Sequence, residues 1–155
     1  MLVVGYGNPA RQDDGIGPWI ADRIEEAGID GVVVDADYQL TVEHAADVAG
    51  SRAVVFVDAA VEGGEPFGFR RVEPELRESF STHSVSPGMV VGLAEELFGS
   101  EAKGYVLSVR GYSFAMFTEG MTEGARRNAE VAAVFLRGVL ETGDFEGSLR
   151  GQPER

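Results

Sequence analysis

MLVVGYGNPARQDDGIG, Met1 to Gly17, is the stretch whose reading decides the fold. Leu2, Val3 and Val4 form a continuous apolar run with two β-branched residues, the pattern of a strand buried on both faces. Gly5, Gly7, Asn8 and Pro9 then end the strand and let the backbone turn sharply. Asp13 and Asp14 follow, just ahead of GIGPWI, so two carboxylates fall where a glycine-rich loop becomes a helix. In open α/β sheets, ligands bind at the carboxyl ends of the strands. Adjacent acids at that point either complement a helix start or belong to a site.

Outward from this stretch, helical spacing of Ile16, Trp19, Ile20 and Ile24 predicts a helix over 15–27, with Pro18 tolerated in its first turn and Gly28 ending it. Val32–Val34 reads as a second strand leading to Asp35, Ala36 and Asp37, and Thr41 as the cap of a short helix over 42–49. AVVFV, 53–57, is a third strand ending at Asp58, and 67–72 an edge strand or hairpin arm. Ser86-Pro87 has the form of an N-cap followed by proline at the first helical position, which predicts a helix over 87–98. Residues 105–109 form another β-rich run, 111–120 an aromatic loop, and Thr122 caps a last helix reaching about Leu140. Strands alternating with helices predict an α/β three-layer sandwich, a mostly parallel sheet of about five strands with helices on both faces. Residues 1–142 are expected to form one domain and 143–155 a loose polar tail.

Composition narrows the functions available. Thirteen basic against 26 acidic residues, with Lys103 the single lysine, argue against a nucleic-acid partner, whose phosphates must be neutralised by cations. The acidity serves solubility, or complements a basic patch on a protein partner. No apolar run reaches the roughly 18 residues of a membrane span, and the chain enters a strand at once without a secretory signal. The expectation is a cytoplasmic protein without a membrane partner. The absence of cysteine removes disulfides, thiolate nucleophiles and cysteine-based metal sites.

Asp14 after the first strand, Asp58 after the third and His83 in the loop entering the 87–98 helix could share one edge of the sheet. Two carboxylates and an imidazole suit a borderline divalent metal such as nickel or zinc, or serve as acid, base and electrostatic stabiliser in hydrolysis. Each also has an ordinary explanation: a helix-dipole partner, a turn residue and a surface histidine. His44, set mid-helix among acids, reads as a surface residue. Gly5-Tyr6-Gly7 lacks the third glycine of a dinucleotide fingerprint, and no P-loop ending occurs. A receiver-type signalling domain needs a lysine after its fifth strand, and Lys103 precedes that strand. A peptidyl-tRNA hydrolase, suggested by Gly7-Asn8-Pro9, needs a cationic surface that this chain lacks.

Three segments, VVGYGNPARQDDGIGP at 3–18, VVFVDA at 54–59 and STHSVSP…VVGLAEELFG at 81–99, resemble the hydrogenase maturation proteases in order and spacing. The resemblance implies an endopeptidase that removes the C-terminal extension of a nickel-containing hydrogenase large-subunit precursor after nickel insertion. It implies Asp14, Asp58 and His83 as the catalytic and metal-contacting residues. The nickel is carried by the substrate rather than permanently bound, and other divalent metals can occupy the same site. The partner implied is the nickel-loaded precursor. With no cysteine and no GxSxG elbow, hydrolysis would proceed by water. A non-catalytic module recognising the same precursor, or an acidic receiver-like domain, are the competing expectations. The loop residues Tyr112, Phe114, Met116 and Phe117 are candidates to grip a substrate, with burial expected for at least two of them.

Overall fold

The apolar runs become strands because each is covered on both sides. The computed structural model describes residues 1–75 and 85–150. In chain order these hold β1 (Leu2–Tyr6), a 3-10 turn (Gln12–Gly15), α1 (Ile16–Ala27), β2 (Val33–Asp37), α2 (His44–Ala49), β3 (Ala53–Ala60) and β4 (Phe67–Val72). After the segment 76–84 come α3 (Pro87–Phe98), β5 (Lys103–Arg110), α4 (Glu123–Thr142) and a 3-10 turn (Glu146–Ser148). The sheet order is β2-β1-β3-β5-β4. All neighbours are parallel except β4, an edge strand antiparallel to β5.

Alternation along the strands builds two cores. Val3, Val55, Val57, Leu107 and Val109 face α1 and α4, meeting Ile16, Ile20, Ala129 and Leu136. Leu2, Val4, Val54, Phe56 and Val106 face α2 and α3, meeting Ala45, Val48, Val90 and Ala94. This is the three-layer α/β sandwich. Helix α1 lies close on β1 because Gly5 carries no side chain; a Cβ there would run into the carbonyl oxygen of Gly17. The capping expected at Ser86 and Thr122 is present: their hydroxyls accept from Met89 N at 3.2 Å and Ala125 N at 3.3 Å. Among the described residues no helix is long and apolar enough to cross a membrane.

Two local expectations change. Thr41 does not cap α2. Residues 42 and 43 form a turn, the helix opens at His44, and the Thr41 N–H donates to His44 Nδ1 at 3.0 Å. The stretch 143–150, expected to be loose, docks on the body instead. Phe145 is buried and stacks on Tyr105, with ring centroids 4.9 Å apart. Arg150 exchanges two backbone hydrogen bonds with Phe69, at 2.8 and 2.9 Å, extending the open edge of β4. Its guanidinium lies over Phe135, 4.7 Å from the ring centroid. One aromatic residue and one unpaired strand edge outweigh the polar composition of the segment.

Candidate active site

The turn after β1 is shaped to carry acids. Gly7 has φ of 143°, a value few side chains tolerate, and a Cβ there would strike the carbonyl oxygen of Asp14. Gln12, in the left-handed region at φ 55°, opens the 3-10 turn holding Asp13 and Asp14. The Asp14 carboxylate accepts from Asn8 N at 2.7 Å, and the Asn8 side chain accepts from Ala10 N at 2.9 Å. Asp14 is thereby tied to the loop that follows β1.

Asp58 arrives from β3. The β1–β3 register sets Gly5 beside Val57, so the next position sets Tyr6 beside Asp58. Both continue the row of Val4 and Phe56, on the α2/α3 face. Ser108 pairs with Asp58 from β5, and Asp37 pairs with Tyr6 from β2. A row Asp37–Tyr6–Asp58–Ser108 therefore crosses the carboxyl edge of the parallel strands. Burial pushes the Asp58 carboxyl up to about 6, and the charge of Asp14 adds to the rise. The Tyr6 phenol and the Ala59 N–H, polar groups beside the carboxylate, partly oppose it. The Tyr6 phenol is itself pushed well above its ordinary value, by burial first and then by the Asp58 carboxylate. The structure thus brings Asp14 and Asp58 into electrostatic contact. His83 lies outside the described residues. Among those described, no three His, Cys, Asp or Glu side chains are placed to hold a metal ion. Two carboxylates that keep free oxygen lone pairs suit part of the shell of a divalent cation.

Asp13, next in sequence, does different work. It is fully buried, and its carboxylate accepts from Tyr112 N at 2.7 Å, Ser113 N at 3.0 Å, Thr122 N at 2.7 Å and the Thr122 hydroxyl at 2.8 Å. Burial alone would raise its pKa; the donors from Tyr112, Thr122 and Ser113 outweigh it and hold the carboxyl below the ordinary range. The adjacent acids are therefore divided, Asp13 fastening the loop after β5 and Asp14 bound to Asn8 N, with its charge acting on Asp58.

Two expectations are corrected. His44 is not a surface residue: it is only 4% exposed. Its Nε2 lies 3.3 Å from Asp35 Oδ2 and 3.7 Å from Asp37 Oδ2. Since Nδ1 accepts the Thr41 N–H, the proton of the neutral ring is on Nε2, facing those carboxylates. In the aromatic loop, burial is not the rule. Phe117 is 89% exposed and Met116 60%, Tyr112 is exposed too, and only Phe114 is partly covered. The neighbour of Asp58 that sequence reasoning missed is Tyr6. Its signal was parity: Tyr6 stands two residues beyond Val4 and Asp58 two beyond Phe56, on neighbouring strands.

No family model matches the chain, and no curated protein matches it significantly. Solved structures do. A [NiFe] hydrogenase maturation protease HycI from Thermococcus kodakarensis KOD1 superposes with a TM-score of 0.70 at 27% identity, covering 90% of this chain and 91% of that one. Its fold is that of the hydrogenase maturation proteases. Escherichia coli structures agree: the hydrogenase maturating endopeptidase HybD gives a TM-score of 0.65 at 23% identity over 92% of this chain and 93% of its own. The endopeptidase HycI gives 0.67 at 20% over 99% and 98%. The chain thus stands structurally among hydrogenase maturation proteases, which are hydrolases. The same topology counts against a receiver-like domain, whose strand order is 2-1-3-4-5. Here the fourth strand in sequence is the outer, antiparallel one.

Proposed function

We propose that this chain is the endopeptidase that removes the C-terminal extension of a nickel-containing hydrogenase large-subunit precursor once nickel is in place. Asp14, Asp58 and His83 are the residues that read the substrate-borne nickel. One observation carries the reading. Asp58, at the carboxyl edge of a sheet whose fold matches a maturation protease along nine-tenths of the chain, feels the charge of Asp14 from the turn after β1. The chemistry is consistent with it. Without a cysteine, the nucleophile is water, and carboxylate oxygens are suitable ligands for a cation that polarises a carbonyl or a water. Asp58, pushed up to about 6, is also within range to exchange a proton near neutrality. A cavity of about 180 Å³ lined by Gly7, Pro9, Pro18, Ala36, Asp37 and Tyr38 opens beside the acid-bearing turn and offers room for a substrate side chain. Across the same turn, the exposed Met116 and Phe117 give the precursor an apolar foothold.

The test is a cleavage assay read by intact mass, using the precursor from the same source in nickel-loaded and nickel-free forms. A shortened product from the loaded form alone is expected. Cutting of both forms would retain the protease and discard nickel recognition. Binding without cutting would make the chain a non-catalytic recognition module.

A further inference from the structure

The row across the sheet edge gives Tyr6 a part that the fold alone does not require. Its ring packs at the margin of the α2/α3 core, where leucine or phenylalanine would fill the same apolar space. Only the hydroxyl distinguishes it, and the hydroxyl is at the acid-lined edge. The β1–β3 register brings it to Asp58, and Asp14 reaches the same place from the turn after β1. Arg70, exposed on β4, acts on this phenol as the opposing positive charge.

We propose that Tyr6 is a positioning residue for Asp58: its phenol, set alongside by the strand register, donates to the carboxylate and fixes its rotamer, leaving the free lone pairs turned toward Asp14 and the metal-bearing substrate. The inference rests on the maturation-protease reading, in which Asp58 contacts the substrate's nickel. The physical reason is that an outer hydrogen bond orients a ligating carboxylate before the ion arrives, so that less freedom is lost on binding. Substitution of such partners typically lowers metal affinity or activity about 10–100-fold.

The test compares Tyr6→Phe and Tyr6→Leu with the wild type in three readouts. These are nickel(II) affinity by calorimetry, kcat and KM for precursor cleavage, and the carboxyl-carbon NMR resonance of Asp58 in metal-free protein. Both variants are expected to lose about tenfold or more in nickel affinity and in kcat, with KM changed much less. They should shift the Asp58 resonance while melting close to wild type. Tyr6→Phe that matches wild type in affinity and resonance would overturn the proposal. So would a defect confined to Tyr6→Leu, which would assign the effect to ring packing. If the wild type neither binds nickel nor cuts, the maturation reading fails. The Asp58 resonance then still decides whether the phenol holds that carboxylate.

Discussion

At the scale of single residues, Asp58 on the proposed function sets activity against stability. Burial keeps its carboxyl protonated up to about pH 6, whereas in the unfolded chain it ionises near 3.8. Between those values the native state holds the extra proton, so this residue's contribution to stability falls as pH rises from about 4 to about 6 and stays lost above. Asp58→Asn keeps the shape and removes the charge. In chelator-treated protein it should gain about 2 kcal/mol at pH 7 and nearly nothing at pH 4, while cleavage of the precursor disappears. Urea melts at the two pH values check this; a variant less stable than wild type at pH 7 would contradict the burial argument. Asp14→Ala should also abolish processing, but the turn it helps to knit carries a further bond from Asn8 to Ala10, so the fold survives. Circular dichroism alongside the mass assay separates the two effects, and normal cleavage by either acid variant would remove that acid from the site.

Among the elements, the loop from Gly111 to Met121 is held from outside itself. Its anchors are the hydrogen bonds of Tyr112 and Ser113 to Asp13, the two that Thr122 makes to the same carboxylate just beyond the loop, and the backbone pairing of Gln12 and Ala10 with Thr118. Asp13→Ala leaves those buried donors without an acceptor, which should cost at least about 3 kcal/mol and release the loop. Hydrogen exchange at Tyr112, Ser113 and Thr122 should rise together; protection that survives would mean the carboxylate is not the anchor. The tip presents Phe117 at φ 56°, a conformation bulky residues avoid, with its ring in solvent. On the proposed function, Phe117→Ser should raise KM for the precursor several-fold and leave the melting temperature unchanged. An unaltered KM would show that the tip does not touch the substrate. At the other end of the chain, Phe145 closes the stack with Tyr105. Phe145→Ala should cost about 3 kcal/mol in a denaturant melt, whereas a free tail would cost nothing.

For the whole molecule, what was legible in the sequence followed from short-range rules. Continuous valine-rich runs meant strands buried on both faces, Ser86-Pro87 and Thr122 marked helix starts, and the spacing of three motifs implied the fold that the structural neighbours share. The placement of the acid after the first turn and of the one after the third strand was likewise readable, because strand ends in a parallel sheet share an edge. Other features depended on partners distant in the chain. Nothing local divides Asp13 from Asp14; the division comes from Tyr112, Ser113 and Thr122, about a hundred residues on. His44 looked solvated until β2 brought Asp35 and Asp37 to its ring. The polar-looking stretch 143–150 found the edge of β4, some eighty residues earlier. Periodicity and capping are properties of neighbouring residues, so the sequence by itself determined the layers, the order of elements and the strand-end places of Asp14 and Asp58. Burial, hydrogen-bond satisfaction and the raised pKa of Asp58 are properties of what surrounds a group. Only tertiary structure, by bringing β1, β3 and the turn at Asp14 together, decided those.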